Sequence, residues 1–116
     1  MERLAGRQEL AAQGEEAVAG WYRSSGYDVV ARNWRCRQGE LDLVARRGDL
    51  IVFCEVKTRT STVFGAPVEA VTRAKQARLR RLAGRFLELD PEHARLVRFD
   101  VASVLDGVVE VVEGAF

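Results

Sequence analysis

Three side chains near the middle of the chain have the types and spacing to hold a cation and steady an oxyanion: Asp42, Glu55 and Lys57. They lie in Gly39 to Arg59, where Glu40-Leu41-Asp42 and Phe53-Cys54-Glu55-Val56-Lys57 interrupt the apolar runs 41–45 and 50–56 with charge. Arg46-Arg47-Gly48-Asp49 separates the runs, and Gly-Asp signals a hairpin, so antiparallel strands are predicted over about 39–47 and 50–58. With Gly48-Asp49 as a two-residue loop, Arg47 faces Leu50, Asp42 faces Glu55 and Glu40 faces Lys57. Opposed residues share one face with Cβ atoms about 4.5–5.5 Å apart, and a four-residue loop leaves the acids diagonal at about 7–8 Å, still on one face. A three-residue loop would put them on opposite faces. Like charges opposed across a sheet destabilise it, and the same face carries Ile51 and Phe53. A divalent cation reverses that sign, since Mg²⁺ takes one or two carboxylates with waters and substrate phosphates. The competing reading is a solvent-facing strand edge with Asp42 and Glu40 both paired to Lys57.

The elements around this hairpin must position it. Residues 3–24 read as a helix, with Leu10, Ala17, Val18, Trp21 and Tyr22 on one face at the helical step. Glu15 flanks that face and Glu16 points away, so Glu15 is the acid able to reach inward. Gly26 ends the helix, and a strand is predicted from Tyr27 to about Arg35. Residues 59–66 have no period and read as a loop beside the acids, where substrate contacts concentrate. Pro67 suits a first helical position, giving a short turn over 67–71. Thr72 is a candidate N-cap for a helix running to about Leu89, with Val71, Leu79, Leu82, Phe86 and Leu89 on one face. Lys75 interrupts that stripe; it either snorkels at the helix margin or meets an anion or the acidic patch.

The same helix carries Arg73, Lys75, Arg78, Arg80, Arg81 and Arg85 with no acid among them. A helix that is merely solvated gains from alternating acids and bases, which this window lacks; a stripe that meets phosphates accounts for it better. Arg32, Arg35, Arg37, Arg46 and Arg47 add positive charge around the hairpin. Asp90-Pro91 ends the helix. Residues 95–104 and 107–112 read as two last strands joined through Asp106-Gly107. Asp100, set among apolar residues, needs a partner if buried. His93 reads as a loop residue, with no Ser or Cys near it to suggest nucleophilic catalysis.

The 116 residues predict one domain, 1–116, with ordinary globular composition. Net charge is +1, so a nucleic-acid partner has to be argued from local distribution; sixteen of the eighteen basic residues are Arg. Two Cys and one His cannot build a four-ligand Cys/His zinc site. Cys54 alternates away from Glu55 and reads as core, and Cys36 falls near a strand end. No signal peptide or membrane-spanning run is visible, so a reduced cytoplasmic setting with free thiols is expected.

Asp42 followed by Glu55-Val56-Lys57 resembles the signature of the PD-(D/E)XK nucleases, with Leu41 where the name-giving proline would stand. Glu15 on the preceding helix resembles the extra acid of the archaeal Holliday-junction resolvase branch. Gly14-Glu15, Asn33-Trp34-Arg35, Gly39-Glu40-Leu41-Asp42-Leu43, Phe53 to Arg59, Lys75-Gln76 and Arg98-Phe99-Asp100-Val101, in this order, are similar to the YraN-like family of small bacterial proteins. The resemblance spans nearly the whole chain. It implies an α/β, restriction-endonuclease-like fold: a central mixed five-stranded sheet flanked by helices in the order α-β-β-β-α-β-β. It implies an endonuclease in which Asp42, Glu55 and the Val56 carbonyl bind Mg²⁺ or Mn²⁺, with Glu15 binding directly or through water. Lys57 would orient the attacking water or offset charge on the phosphate, and Lys75 and Gln76 would contact the phosphate or nucleophile. Arg59, Arg73, Lys75, Gln76, Arg78, Arg80 and Arg81 would lie along the nucleic-acid backbone, positioning it without reading bases. The expected partner is nucleic acid, with DNA, including branched DNA, ahead of RNA; a two-fold substrate would suit a homodimer. The alternative from another class is a non-catalytic nucleic-acid-binding module on the same scaffold, and a third is a protein-interaction role for the exposed arginines.

Overall fold

The computed structural model describes residues 2–59 and 71–116. Its elements follow the predicted order: α1 (Glu2–Ser24), β1 (Asp28–Cys36), β2 (Gly39–Arg47), β3 (Leu50–Arg59), α2 (Arg73–Leu89), β4 (Leu96–Leu105) and β5 (Val108–Val112). The turn of helix predicted over 67–71 and most of the loop predicted over 59–66 lie outside the described residues. Among those residues no helix is long and apolar enough to cross a membrane.

The strands form one sheet in sequence order. Every neighbouring pair is antiparallel except β3 and β4, which are parallel, as a crossover through α2 requires. Turn chemistry fixes the hairpins. Gly48 takes the positive φ of the β2–β3 turn, and Asp106 and Gly107 both take it in the β4–β5 turn; these are the requirements of the two primed turns whose twist matches the strands. The outer strand β1 is irregular, with a bulge between Val29 and Ala31.

Each face of the sheet is covered by one helix. Val18, Ala19 and Tyr22 of α1 pack on Leu43, Ala45, Val52, Cys54, Ala102 and Val104. Leu79, Leu82 and Ala83 of α2 pack on Leu41, Val44, Ile51, Phe53 and Val101. The Thr72 side chain accepts from the Lys75 N–H and caps α2 as expected. Two members of the predicted apolar faces are not core. Leu10 is 41% exposed and Leu89 is 63% exposed, because both lie toward the outer end of a helix, beyond its buried stretch. Cys54 is buried, as alternation required, and burial pushes its thiol up to about 12.

Asp100 is fully buried and has the partners it needed. It accepts from Tyr22 Oη at 2.6 Å, from Arg98 Nε at 2.8 Å and Nη2 at 2.9 Å, and from the Gly114 N–H at 3.0 Å. Burial pushes the Tyr22 hydroxyl up, so it stays a donor, and Asp100 holds the Arg98 guanidinium firmly charged. This network ties α1, β4 and the chain's last residues together.

Candidate functional site

The site starts from the hairpin register. β2 and β3 pair from Arg47↔Leu50 through Leu43↔Cys54, the predicted alignment, and this ladder stops one pair short of Asp42 and Glu55. In a hairpin with a two-residue loop, pairs exchange backbone hydrogen bonds at every second position from the turn, so Leu41 and Val56 would come next. Instead the Val56 N–H donates to Asp42 Oδ2 at 2.9 Å. A side chain has taken a backbone donor, and the strands part where the acids stand.

β1 and β2 also change faces at this level. Side chains two apart on a regular strand share a face. Leu43 nevertheless packs with the α1 cluster and Leu41 with the α2 cluster. On β1, Arg32 pairs with Glu16 of α1 while Trp34 meets the Phe86 ring of α2 at 5.4 Å.

The electrostatics are those of crowded acids. Asp42 is pushed up to about 7, first by burial and then by the charge of Glu55, with Glu15 and Glu40 adding to it; the bond from Val56 works in the opposite direction. Lys57 Nζ lies 3.3 Å from Glu55 Oε1, both largely covered. Glu40 was predicted across from Lys57, but the ladder ends before that pair and Glu40 turns to Arg35 at 3.2 Å. Glu15 is half-buried and acts on Asp42 across the gap, whereas Glu16 is exposed and tied to Arg23 and Arg32. Of these two acids, Glu15 is the one on the inner side of α1. Among the described residues no three His, Cys, Asp or Glu side chains are gathered as a ready-made metal cage.

The remaining predicted residues lie on other elements. Lys75 is half-buried in the first turn of α2. The Gln76 amide donates to the Val71 carbonyl at 3.1 Å, which ties down the entry to the helix. Arg73, Arg78 and Arg81 are exposed on α2. Arg80 is exposed as well but lies over the rings of Phe99 and Phe116 at 5.2 and 5.4 Å, so its guanidinium is partly engaged. Arg85 pairs with Glu88 at 2.8 Å. Arg59 ends β3 in a small cleft with Leu10, Gln13, Gly14 and Thr58.

Two contributors carry no charge signal and were missed as site-formers. A Cβ on buried Gly14 would lie 2.1 Å from Thr58 Oγ1, so only glycine lets α1 approach β3 this closely beside Glu15. A glycine in mid-helix, costing about 1 kcal/mol against Ala, was the available signal. The other is Asn33, whose φ is +50° inside β1.

Comparison with known proteins agrees along most of the chain. A family model described as uncharacterised protein family UPF0102 matches residues 14–104. A UPF0102 protein of Beutenbergia cavernae is 57% identical over 99 residues, covering 85% of this chain and 84% of the relative. UPF0102 proteins of a Parafrankia species and of Nocardia farcinica are each 50% identical, over 84% and 89% of this chain and 82% and 81% of their own lengths.

Proposed function

The chain belongs to protein family UPF0102, the YraN family, and from the site it carries we propose a metal-dependent endonuclease, hydrolysing phosphodiester bonds on a restriction-endonuclease-like fold. One observation carries the reading: a half-buried carboxyl, Asp42, is pushed up to about 7 by burial and by Glu55 at a gap in the sheet, with Lys57 3.3 Å from that second acid. Such a patch is short of positive charge, and perturbed acids of this kind cluster at functional sites.

The donor chemistry fits a hard cation. All the oxygens come from carboxylates and backbone, the set that Mg²⁺ and Mn²⁺ prefer. Asp42 Oδ2 accepts from the Val56 N–H, and Oδ1 has no hydrogen-bond partner among the described residues. A strand residue's N–H and C=O leave on the same edge, so the Val56 carbonyl faces the same gap. Asp42, Glu55 and Val56 would hold Mg²⁺ or Mn²⁺, with Glu15 direct or through water. The ion would lower the pKa of a water and neutralise charge on the phosphate.

The chain's own groups supply the rest. Lys57, 3.3 Å from Glu55 Oε1, would orient the nucleophile or meet the developing phosphate charge. Lys75 and Gln76 stand at the first turn of α2, whose N–H groups favour anions. Arg73, Arg78, Arg80 and Arg81 on α2, and Arg59 at the end of β3, contact the backbone of the nucleic acid. Basic residues in the first turns of a helix oppose its dipole, so Arg73 and Lys75 are better explained by a bound anion than by helix stability. DNA, branched forms included, is the substrate we favour, with a homodimer matching a two-fold junction.

The exposed Arg73, Arg78 and Arg81 on α2 also suit one second reading, a nucleic-acid-binding module without catalysis. The test is cleavage of branched, flap, single- and double-stranded substrates with Mg²⁺ or Mn²⁺. Loss of cleavage in Asp42→Ala and Lys57→Ala, with both variants folded, supports the nuclease. Cleavage unchanged in both removes the assignment. Binding without cleavage, metal-independent and falling with salt, points to the module.

A further inference from the structure

Asn33 holds a left-handed backbone conformation, φ +50°, inside a strand. That region costs a side-chain-bearing residue free energy, and Asn tolerates it better than most. Its place in the register is specific. The pairs Arg32↔Leu43 and Trp34↔Leu41 flank it, so Asn33 stands across from Asp42. The face reversal of β1 falls between Arg32, which reaches α1, and Trp34, which packs beneath α2; that of β2 falls between Leu43 and Leu41. Both strands therefore turn over at one level, and Asp42 is on it. A regular β2 would point Asp42 with Val44 into the α2 side. The turned strand instead swings it into the gap at Val56, where Glu15 from the α1 side and Glu55 from the other both act on it.

We propose that Asn33 is a positioning residue whose left-handed backbone turns β1 and β2 over together and so delivers Asp42 to the acid patch. The proposal rests on the patch being the metal centre proposed above. Strained backbone kept at a functional site is the physical pattern, and here the strain sits one strand away from the group it aims. A β-branched residue at 33 cannot keep the turn and restores regular alternation; glycine keeps it at no steric cost.

The experiment measures Mn²⁺ affinity by titration calorimetry in wild type, Asn33→Gly and Asn33→Val, with Asn33→Ala taking the place of the valine variant if that fails to fold. Trp34 emission is followed alongside in a Trp21→Phe background. Asn33→Gly should stay within about threefold of wild type, while Asn33→Val loses about tenfold or more, the scale of losses from residues that orient ligands. Trp34 emission should shift to the red as its ring leaves Phe86. His93→Ala is the control: His93 has the same φ of +50° in an exposed loop, and its replacement should leave Mn²⁺ affinity unchanged. A folded Asn33→Val protein with wild-type affinity and unshifted Trp34 emission overturns the proposal. If the wild type binds no Mn²⁺, the metal reading falls separately, and the emission alone supports or overturns the strand reversal.

Discussion

Replacing Asp42 by Asn should make the metal-free protein more stable at neutral and alkaline pH, although it removes a side chain proposed to be essential. The magnitude follows from linkage. Asp42 moves from an ordinary value of 3.8 to about 7 on folding, a rise of about 3 units, and each unit is about 1.4 kcal/mol. The folded state thus binds this proton more tightly than the unfolded chain. Stability from this group is fully present below about pH 4, declines as pH rises, and is lost above about pH 7. Above that, keeping the carboxylate charged costs up to about 4 kcal/mol, a sizeable part of the 5–15 kcal/mol typical of a domain. Asn is neutral throughout and its Oδ1 can still accept from Val56. Asp42→Asn should therefore gain about 2–4 kcal/mol over wild type near pH 8 and stay within about 1 kcal/mol of it near pH 4, where the wild-type group is protonated in the folded state and still partly protonated in the unfolded chain. Urea unfolding in EDTA, followed by circular dichroism at both pH values, measures it. A variant no more stable than wild type at pH 8 would refute the idea that burial and the neighbouring acids Glu55, Glu15 and Glu40 strain the charged form of Asp42, and with it the reason for a cation there.

Two further outcomes rest on packing. Gly14→Ala places a Cβ 2.1 Å from Thr58 Oγ1 and should cost about 1–3 kcal/mol by overpacking, while Thr58→Ala in the same chain should recover most of it in denaturant titrations; no recovery would mean that the contact does not set the approach of α1. Arg98→Met strips the fully buried Asp100 of its counter-charge and should destabilise by about 3–5 kcal/mol, read as the fall in the urea midpoint, with a loss under about 1 kcal/mol counting against the network.

The sequence was most legible where charge interrupts an apolar run. Gly48-Asp49 signalled the two-residue loop, and the register that loop implies holds from Arg47↔Leu50 to Leu43↔Cys54, one pair short of Asp42 and Glu55. Helical spacing likewise separated Glu15 from Glu16. Other features follow from forces that periodicity does not carry. Leu10 and Leu89 keep the apolar spacing but lie beyond the buried stretches of their helices. Glu40 was expected opposite Lys57 and meets Arg35 instead, because a side chain, Asp42, took the backbone donor that would have continued the ladder. Asn33 sits in Ala31-Arg32-Asn33-Trp34-Arg35, which reads as an ordinary strand, and a left-handed residue there is invisible without its neighbours. Asp100 announced a need for partners but not which ones, since Tyr22 and Gly114 come from distant parts of the chain.

The two margins of the sheet are built differently, and this bears on how copies of the protein can meet. The bulge at Val29–Ala31 and the turned backbone at Asn33 break the row of amides along β1, so an incoming strand finds no continuous template there. β5 has no such interruption, and Val108 and Val112 are exposed on it. Strand-to-strand joining, native or aberrant, is thereby directed to the β5 margin, across the whole width of the sheet from the Arg35–Arg37 hairpin. Crowding in concentrated solution would then consume the far border first and leave the arginine-bearing side open to solvent.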